Sequence, residues 1–220
     1  MLLHPINTMV LVVKGLIVGI IASAPMGPVG VLAVRRTLNK GRWYGFVTGL
    51  GAVVSDLLYA ILTALGMHAV MEFFSNSPSV DYFKLGGSIM LFFFGLYTYM
   101  ARPHDMTSPS HSRGTLTNNM LTGFLVAISN PLVIVLFIAL FDSVGFIRPE
   151  YGLEYIFGFA AIVTGACLWW FCLSGAIDHV RMRFQLSSIV RLNKAIGVLV
   201  MLAAVIGFAY TLYYIYRNRA

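Results

Sequence analysis

Hydrophobic and polar positions in this chain fall in long blocks. Apolar runs of about 20 residues, the length that crosses a bilayer as a helix, cover Thr8 to Ala33, Tyr44 to Gly66, Tyr82 to Met100, Met120 to Phe141, Leu153 to Gly175 and Lys194 to Tyr216. The gaps carry breaker residues: Asn76-Ser77-Pro78-Ser79 is a turn cluster, Arg102-Pro103 ends the third run, and Thr107 to Thr117 is a Ser/Thr-rich connector. The pattern predicts an all-α integral membrane protein with six transmembrane helices in a single membrane domain over residues 1–220. It divides into a first half of about 1–101, a linker of about 102–119 and a second half of about 120–220. Three spans per half force the halves into opposite orientations, so related halves would be inverted three-helix repeats.

Two runs are interrupted by proline, Ala24-Pro25-Met26-Gly27-Pro28 in the first and Ser129-Asn130-Pro131 in the fourth. Proline lacks an amide hydrogen and clashes with the preceding turn, so backbone polar groups near it are partly released in a medium with no water to satisfy them. Interruptions at matching places in two halves predict broken first and fourth helices that frame a site near the bilayer midplane. The third spans add a weaker match, Lys84 with Gly87 and Lys194 with Gly197. The bland alternative for each proline is a packing kink.

Composition agrees with a lipid environment. The chain is 59% hydrophobic and 10% charged, with a mean hydropathy of +0.83, whereas about a quarter of residues are charged in an ordinary soluble protein. The net charge of +7 does not form a basic face for nucleic acid, because the cations sit in short gaps. Arg35, Arg36, Lys40, Arg42, Arg102, Arg113, Arg181, Arg183, Arg191 and Lys194 fall in alternate gaps, and only Lys14, Lys84, Arg148, Arg217 and Arg219 fall opposite. The positive-inside rule then places the first, third and fifth gaps in the cytoplasm and both termini outside. Trp43, Trp169 and Trp170 lie toward that cytoplasmic interface. The basic gap containing Arg35, Arg36, Gly41 and Arg42 is expected as a cytoplasmic loop on anionic lipid or as part of a gate. Lys14, an apolar stretch and Ala22-Ser23-Ala24 imitate a secretory signal, but the run continues past Pro25, and no cleavage is expected. Cys167 and Cys172 fall on different helical faces, which predicts neither a disulfide nor a metal site.

One carboxylate, Asp56, sits near the middle of a spanning run. Burying it costs about 2.5–3.5 kcal/mol on insertion scales, so it must face a cavity or a partner. Asp56 is therefore the leading functional residue, suited either to carry a proton or to hold a substrate ammonium; the structural alternative is an ion pair with Lys14. Amides around Val29, Gly30 and Val31, and around Leu132 to Ile134, start new half-helices whose positive ends attract a carboxylate. A zwitterion suits such a site. Leu91 in the third span is expected to face lipid.

Pro25-Met26-Gly27-Pro28, then Arg35 to Arg42 (Arg-Arg-Thr-Leu-Asn-Lys-Gly-Arg), Gly49-Leu50-Gly51 and Ser55-Asp56, with Gly87 to Gly95 and Asn130-Pro131 further on, resemble the LysE/RhtB family of lysine and homoserine/threonine exporters. The resemblance implies export of amino acids or similar metabolites from the bacterial cytoplasm across the inner membrane, driven by the membrane gradient. It carries onto Pro25, Gly27, Pro28, Asp56, Asn130 and Pro131. The expected partners are a small amino-acid-like substrate, protons as coupling ion and membrane lipid, with a homo-oligomer left open; no cofactor is expected. An enzyme is disfavoured, since His4, His68, His104, His111 and His179 lie in gaps or at run ends and Asp56 has no acidic companion. A divalent-cation exporter using Asp56 and Asn130, with His104, Asp105 and His111 at the mouth, is the main rival. A non-transporting membrane assembly protein is the other.

Overall fold

The computed structural model describes residues 5–74, 79–100, 115–130, 132–148, 152–180 and 187–219. Pro131 lies outside the described residues, as do Arg102, His104, Asp105, His111, Arg113, Arg181 and Arg183. The described residues form eight helices and no strand: α1 (Pro5–Ser23), α2 (Pro28–Lys40), α3 (Arg42–Phe74), α4 (Ser79–Met100), α5 (Leu116–Ile128), α6 (Leu132–Val144), α7 (Glu154–His179) and α8 (Ser187–Arg219).

Each predicted run becomes a helix or a helix pair. Ile6–Ser23, Arg42–Met67, Glu154–His179 and Val190–Arg217 are each long and apolar enough to cross a bilayer. The pair α5 and α6 makes a fifth crossing when taken as one span bent by 76°, and the apolar part of α4, Leu85–Met100, is shorter. The protein is thus a multi-pass helical membrane protein. Its outward faces confirm the solvent: Leu62 and Leu65 of α3, Phe93 of α4 and Leu199, Leu202 and Ile206 of α8 are exposed, an apolar surface far larger than a soluble monomer carries.

The first run does not cross as one helix to Ala33. It stops at Ser23 because Pro25 cannot continue the hydrogen-bond ladder, and a tight turn follows in which the Gly27 amide donates to the Pro25 carbonyl at 2.9 Å. Pro28 then opens α2 at its first position, where a missing amide hydrogen costs nothing. The basic stretch expected as a loop is helical as far as Lys40. Gly41, at φ 97°, makes the whole connection to α3, a left-handed conformation open to glycine.

Helices pack where glycine lets backbones touch. Gly15 of α1 faces Gly158 and Ala161 of α7, and Gly19 faces Ile162 and Ala166, so α1 and α7 run parallel. Gly123 of α5 lies on Thr48 of α3, Gly51 of α3 on Met120 and Phe124, and Tyr59 reaches Ile128 further along, so α3 and α5 are parallel too. Gly95 and Gly197 bring α4 and α8 together in antiparallel fashion. Such small-residue contacts are how membrane helices gain dispersion energy without a hydrophobic drive. Leu91 is a correction: it is 2% exposed and belongs to the apolar core with Leu136, Leu140 and Val200, because the α4 face that carries it meets α6 and α8.

A methyl group on Gly19 would stand 2.1 Å from the Ile162 carbonyl oxygen, whereas one on Gly66 meets nothing within 4 Å. Gly19→Ala is expected to destabilise the detergent-solubilised protein by about 1–3 kcal/mol, and Gly66→Ala to leave it unchanged or slightly firmer. Thermal unfolding of the two variants checks this.

Candidate functional site

The break between α1 and α2 leaves the peptide groups of Met26 outside any helix. Asn193, buried on α8, answers both: its Oδ1 accepts from the Met26 amide at 3.0 Å, and its Nδ2 donates to the Met26 carbonyl at 3.3 Å. The second break is satisfied differently. Tyr59 of α3 donates its hydroxyl to the Ile128 carbonyl at 2.5 Å, and Asn130 Oδ1 accepts from the Leu132 amide at 3.2 Å, a local turn that caps α6 from within.

Between the breaks lies one cavity. Pro25, Gly27, Pro28, Val29 and Gly30 from the first break, Asn130 from the second and Asp56 from mid-α3 all line it. The sequence singled out each of these, and the fold brings them together. Asp56 is 8% exposed, and its Oδ2 accepts from Ser23 Oγ, on the last residue of α1, at 3.3 Å. The cavity measures about 70 Å³, more than the roughly 10–15 Å³ that a single water needs. An open groove of about 510 Å³, lined by Tyr97, Leu125 and Ser129, adjoins it through Pro28, Val126 and Asn130, which line both.

Other expected site residues are elsewhere. Lys14 donates to the Gly145 carbonyl at 2.7 Å, while Ser23 is the hydrogen-bond partner of Asp56, so the two charges are not brought together. Leu132 does not line the cavity, and its amide is held by Asn130. Of the two half-helix starts, α2 is the one whose cap, Gly27, offers no side-chain hydrogen bond; the Val31 amide expected at the site donates to the Gly27 carbonyl at 3.1 Å, which leaves Val29 and Gly30, both in the cavity wall.

The basic cluster divides. Arg35 is half-buried on α2, and Arg42 stacks on Trp43 with 4.9 Å to the ring centroid. Arg36 is only 7% exposed; its Nη1 donates to Thr48 Oγ1 of α3 and to the Asn119 carbonyl of α5, both at 2.9 Å. This guanidinium ties the two halves of the chain together. Reading the cluster by charge alone missed it, because nothing in the local sequence separates Arg36 from Arg35 except its place on the α2 face with Ala33 and Thr37. Sequence reading also missed Asn193, Ser23 and Trp170. Trp170, expected at the lipid interface, is buried in the protein beside Gly49 and lines the Asp56 cavity.

Residues 20–213 match the LysE type translocator family. The chain belongs to that family. It is also 28% identical over 164 residues to the Bacillus subtilis (strain 168) protein named "Putative amino acid efflux protein YcgF", covering 72% of this chain and 76% of that one. No solved structure matches the chain closely enough for comparison.

Asn193→Leu is expected to orphan the Met26 amide and carbonyl, destabilising the protein by about 1–3 kcal/mol per group. Reduced accumulation together with a lower unfolding temperature in detergent checks this; a variant as stable as the parent would remove Asn193 from the break.

Proposed function

We propose that this translocator is a secondary-active exporter of amino acids or similar small zwitterions from the bacterial cytoplasm across the inner membrane, with one 1–220 membrane domain and both termini outside. The observation that carries the proposal is the single cavity in which a buried carboxylate faces the unwound ends of two broken helices. Asp56 holds the substrate ammonium or the coupling proton, and the open amides at the start of α2 face the substrate carboxylate. Amino acid efflux, in the name of the B. subtilis relative, supports the same substrate class. A divalent cation suits the cavity less well, since among its lining residues Asp56 is the only carboxylate and hard cations favour several oxygen ligands.

Three of the helix pairings support an inverted repeat in which α1–α4 correspond to α5–α8, whereas the close α2–α3 and α4–α6 pairings have no counterpart of like extent. Exchanging the halves turns α1 against α7 into α5 against α3, α2 against α7 into α6 against α3, and α2 against α5 into α6 against α1; each of these pairs is in contact. The parallel and antiparallel directions agree with six alternating crossings. Alternating access then consists of one half rocking on the other around the cavity. At about 70 Å³ the cavity is far below the 300–1,000 Å³ of ligand pockets, so substrate entry requires the partition of Pro28, Val126 and Asn130 to move toward the adjoining groove. Arg36 acts as the cytoplasmic latch: its two hydrogen bonds hold α2 to α3 and α5 and must break for inward opening.

Metabolites in the medium of cells with and without the protein identify the substrate. For that substrate, Asp56→Asn is expected to leave insertion and abundance intact and to lower efflux by about thirtyfold or more, the loss typical of one partner of a buried charge pair; normal efflux by the inserted variant would sink the proposal. Arg36→Ala is expected to raise, several-fold, the cytoplasmic labelling of a cysteine at Gly30 by a membrane-impermeant thiol reagent, with Cys167 and Cys172 removed. At Gly30 an added Cβ meets Met26 Cβ at 3.0 Å and Cγ at 3.2 Å and no other atom within 4 Å, so a cysteine there requires only a small shift of Met26. Unchanged or slower labelling would show that Arg36 is no latch.

A further inference from the structure

Five side-chain polar groups are buried without a hydrogen-bond partner among the described residues: the hydroxyls of Ser55, Thr63 and Ser174 and the indole nitrogens of Trp169 and Trp170. Only Trp170 among these five residues lines the cavity of Asp56. A buried indole N–H ordinarily finds an acceptor, and leaving it unmade carries the full cost of its desolvation.

The placement of the ring is enforced. Trp170 is 3% exposed, and its ring lies so close to α3 that a Cβ on Gly49 would come within 2.3 Å of it. Trp170 shares one buried cluster with Ala33, Ala52, Val53, Ala127 and Ala166. Ala52 lies one turn before Asp56, so the indole and the carboxylate share the stretch of α3 that walls the cavity. The cavity thus has an acceptor for a cation in Asp56 and, on Trp170 of its wall, a buried indole N–H with no acceptor of its own.

We propose that the Trp170 indole N–H is a substrate-positioning donor that hydrogen-bonds the carboxylate of the transported amino acid, while Asp56 takes its ammonium. The inference rests on the exporter reading and adds a specificity element to it: molecules with an ammonium but no carboxylate lose the Trp170 contact. A neutral donor to a charged acceptor makes one of the stronger hydrogen bonds, so its loss weakens binding by about tenfold or more.

The probe is whichever of the twenty coded amino acids wild-type vesicles export best, with the corresponding amine that lacks the carboxylate beside it. Trp170→Phe, which keeps an aromatic ring and removes the donor, is expected to raise the KM for that amino acid about tenfold with the maximal rate largely retained, whereas Trp169→Phe changes neither. A fall in maximal rate at unchanged KM would assign Trp170 a packing role and overturn the proposal. Should Trp170→Phe fail to accumulate, the indole resonance of Trp170 in a ¹⁵N-labelled Trp43→Phe/Trp169→Phe protein decides: it should shift on titration with the amino acid and stay in place with the amine. A resonance unmoved by saturating amino acid, or moved equally by the amine, would overturn the assignment. Absence of export of any amino acid by the wild type would instead overturn the exporter reading itself.

Discussion

Satisfying backbone polar groups without water is the constraint on which the rest of this structure depends. A continuous helix meets it internally, and a helix stopped by proline does not. The first break is therefore closed from a distance by the Asn193 carboxamide, which takes both the amide and the carbonyl of Met26. The second closes nearer home, through Asn130 on the Leu132 amide and Tyr59 on the Ile128 carbonyl. The difference matters for the site: the second half-helix start is capped by the Asn130 side chain, whereas the Gly27 cap of the first makes no side-chain hydrogen bond and Val29 and Gly30 line the cavity.

Close backbone approach places the two breaks together. Glycine contacts set α1 against α7 and α3 against α5, and these parallel pairs bring Ser23, Asp56 and Asn130 to one chamber. Charge is divided along the same architecture. The acid is held in the cavity by a serine hydroxyl, while the buried arginine bridges α2, α3 and α5 through neutral acceptors. A guanidinium bound by two neutral oxygens is attached less firmly than one paired with a carboxylate, which suits the proposed latch.

Much of the architecture was legible in the sequence. Apolar runs of spanning length became helices, the two proline clusters became the two breaks, and the lone mid-span carboxylate became a cavity residue. Those features are local: run length, loss of an amide hydrogen and the cost of burying charge are each decided within a few residues. Leu91, Leu132 and Trp170 departed from expectation, as did the loop expected at Arg35 to Arg42. For Leu91 and Trp170, burial depends on which helix lies across from the side chain; for Leu132, the Asn130 side chain takes the amide; and for the fourth a single glycine turned the chain where a longer loop was expected. The match of Lys84-Gly87 with Lys194-Gly197 says nothing of packing; Gly197 meets Gly95 instead.

By itself, the sequence determined that this chain lives in lipid, that two of its helices must break, and that one acid must find shelter, because each follows from composition and covalent geometry. Only the tertiary structure decided which distant groups answer the broken backbone, which of two adjacent arginines is buried, and that an indole lines the cavity of the acid. Those outcomes depend on pairing between helices that are distant in the chain, and pairing in a membrane is set by the shape of opposing faces, to which a linear pattern of apolar residues is nearly blind.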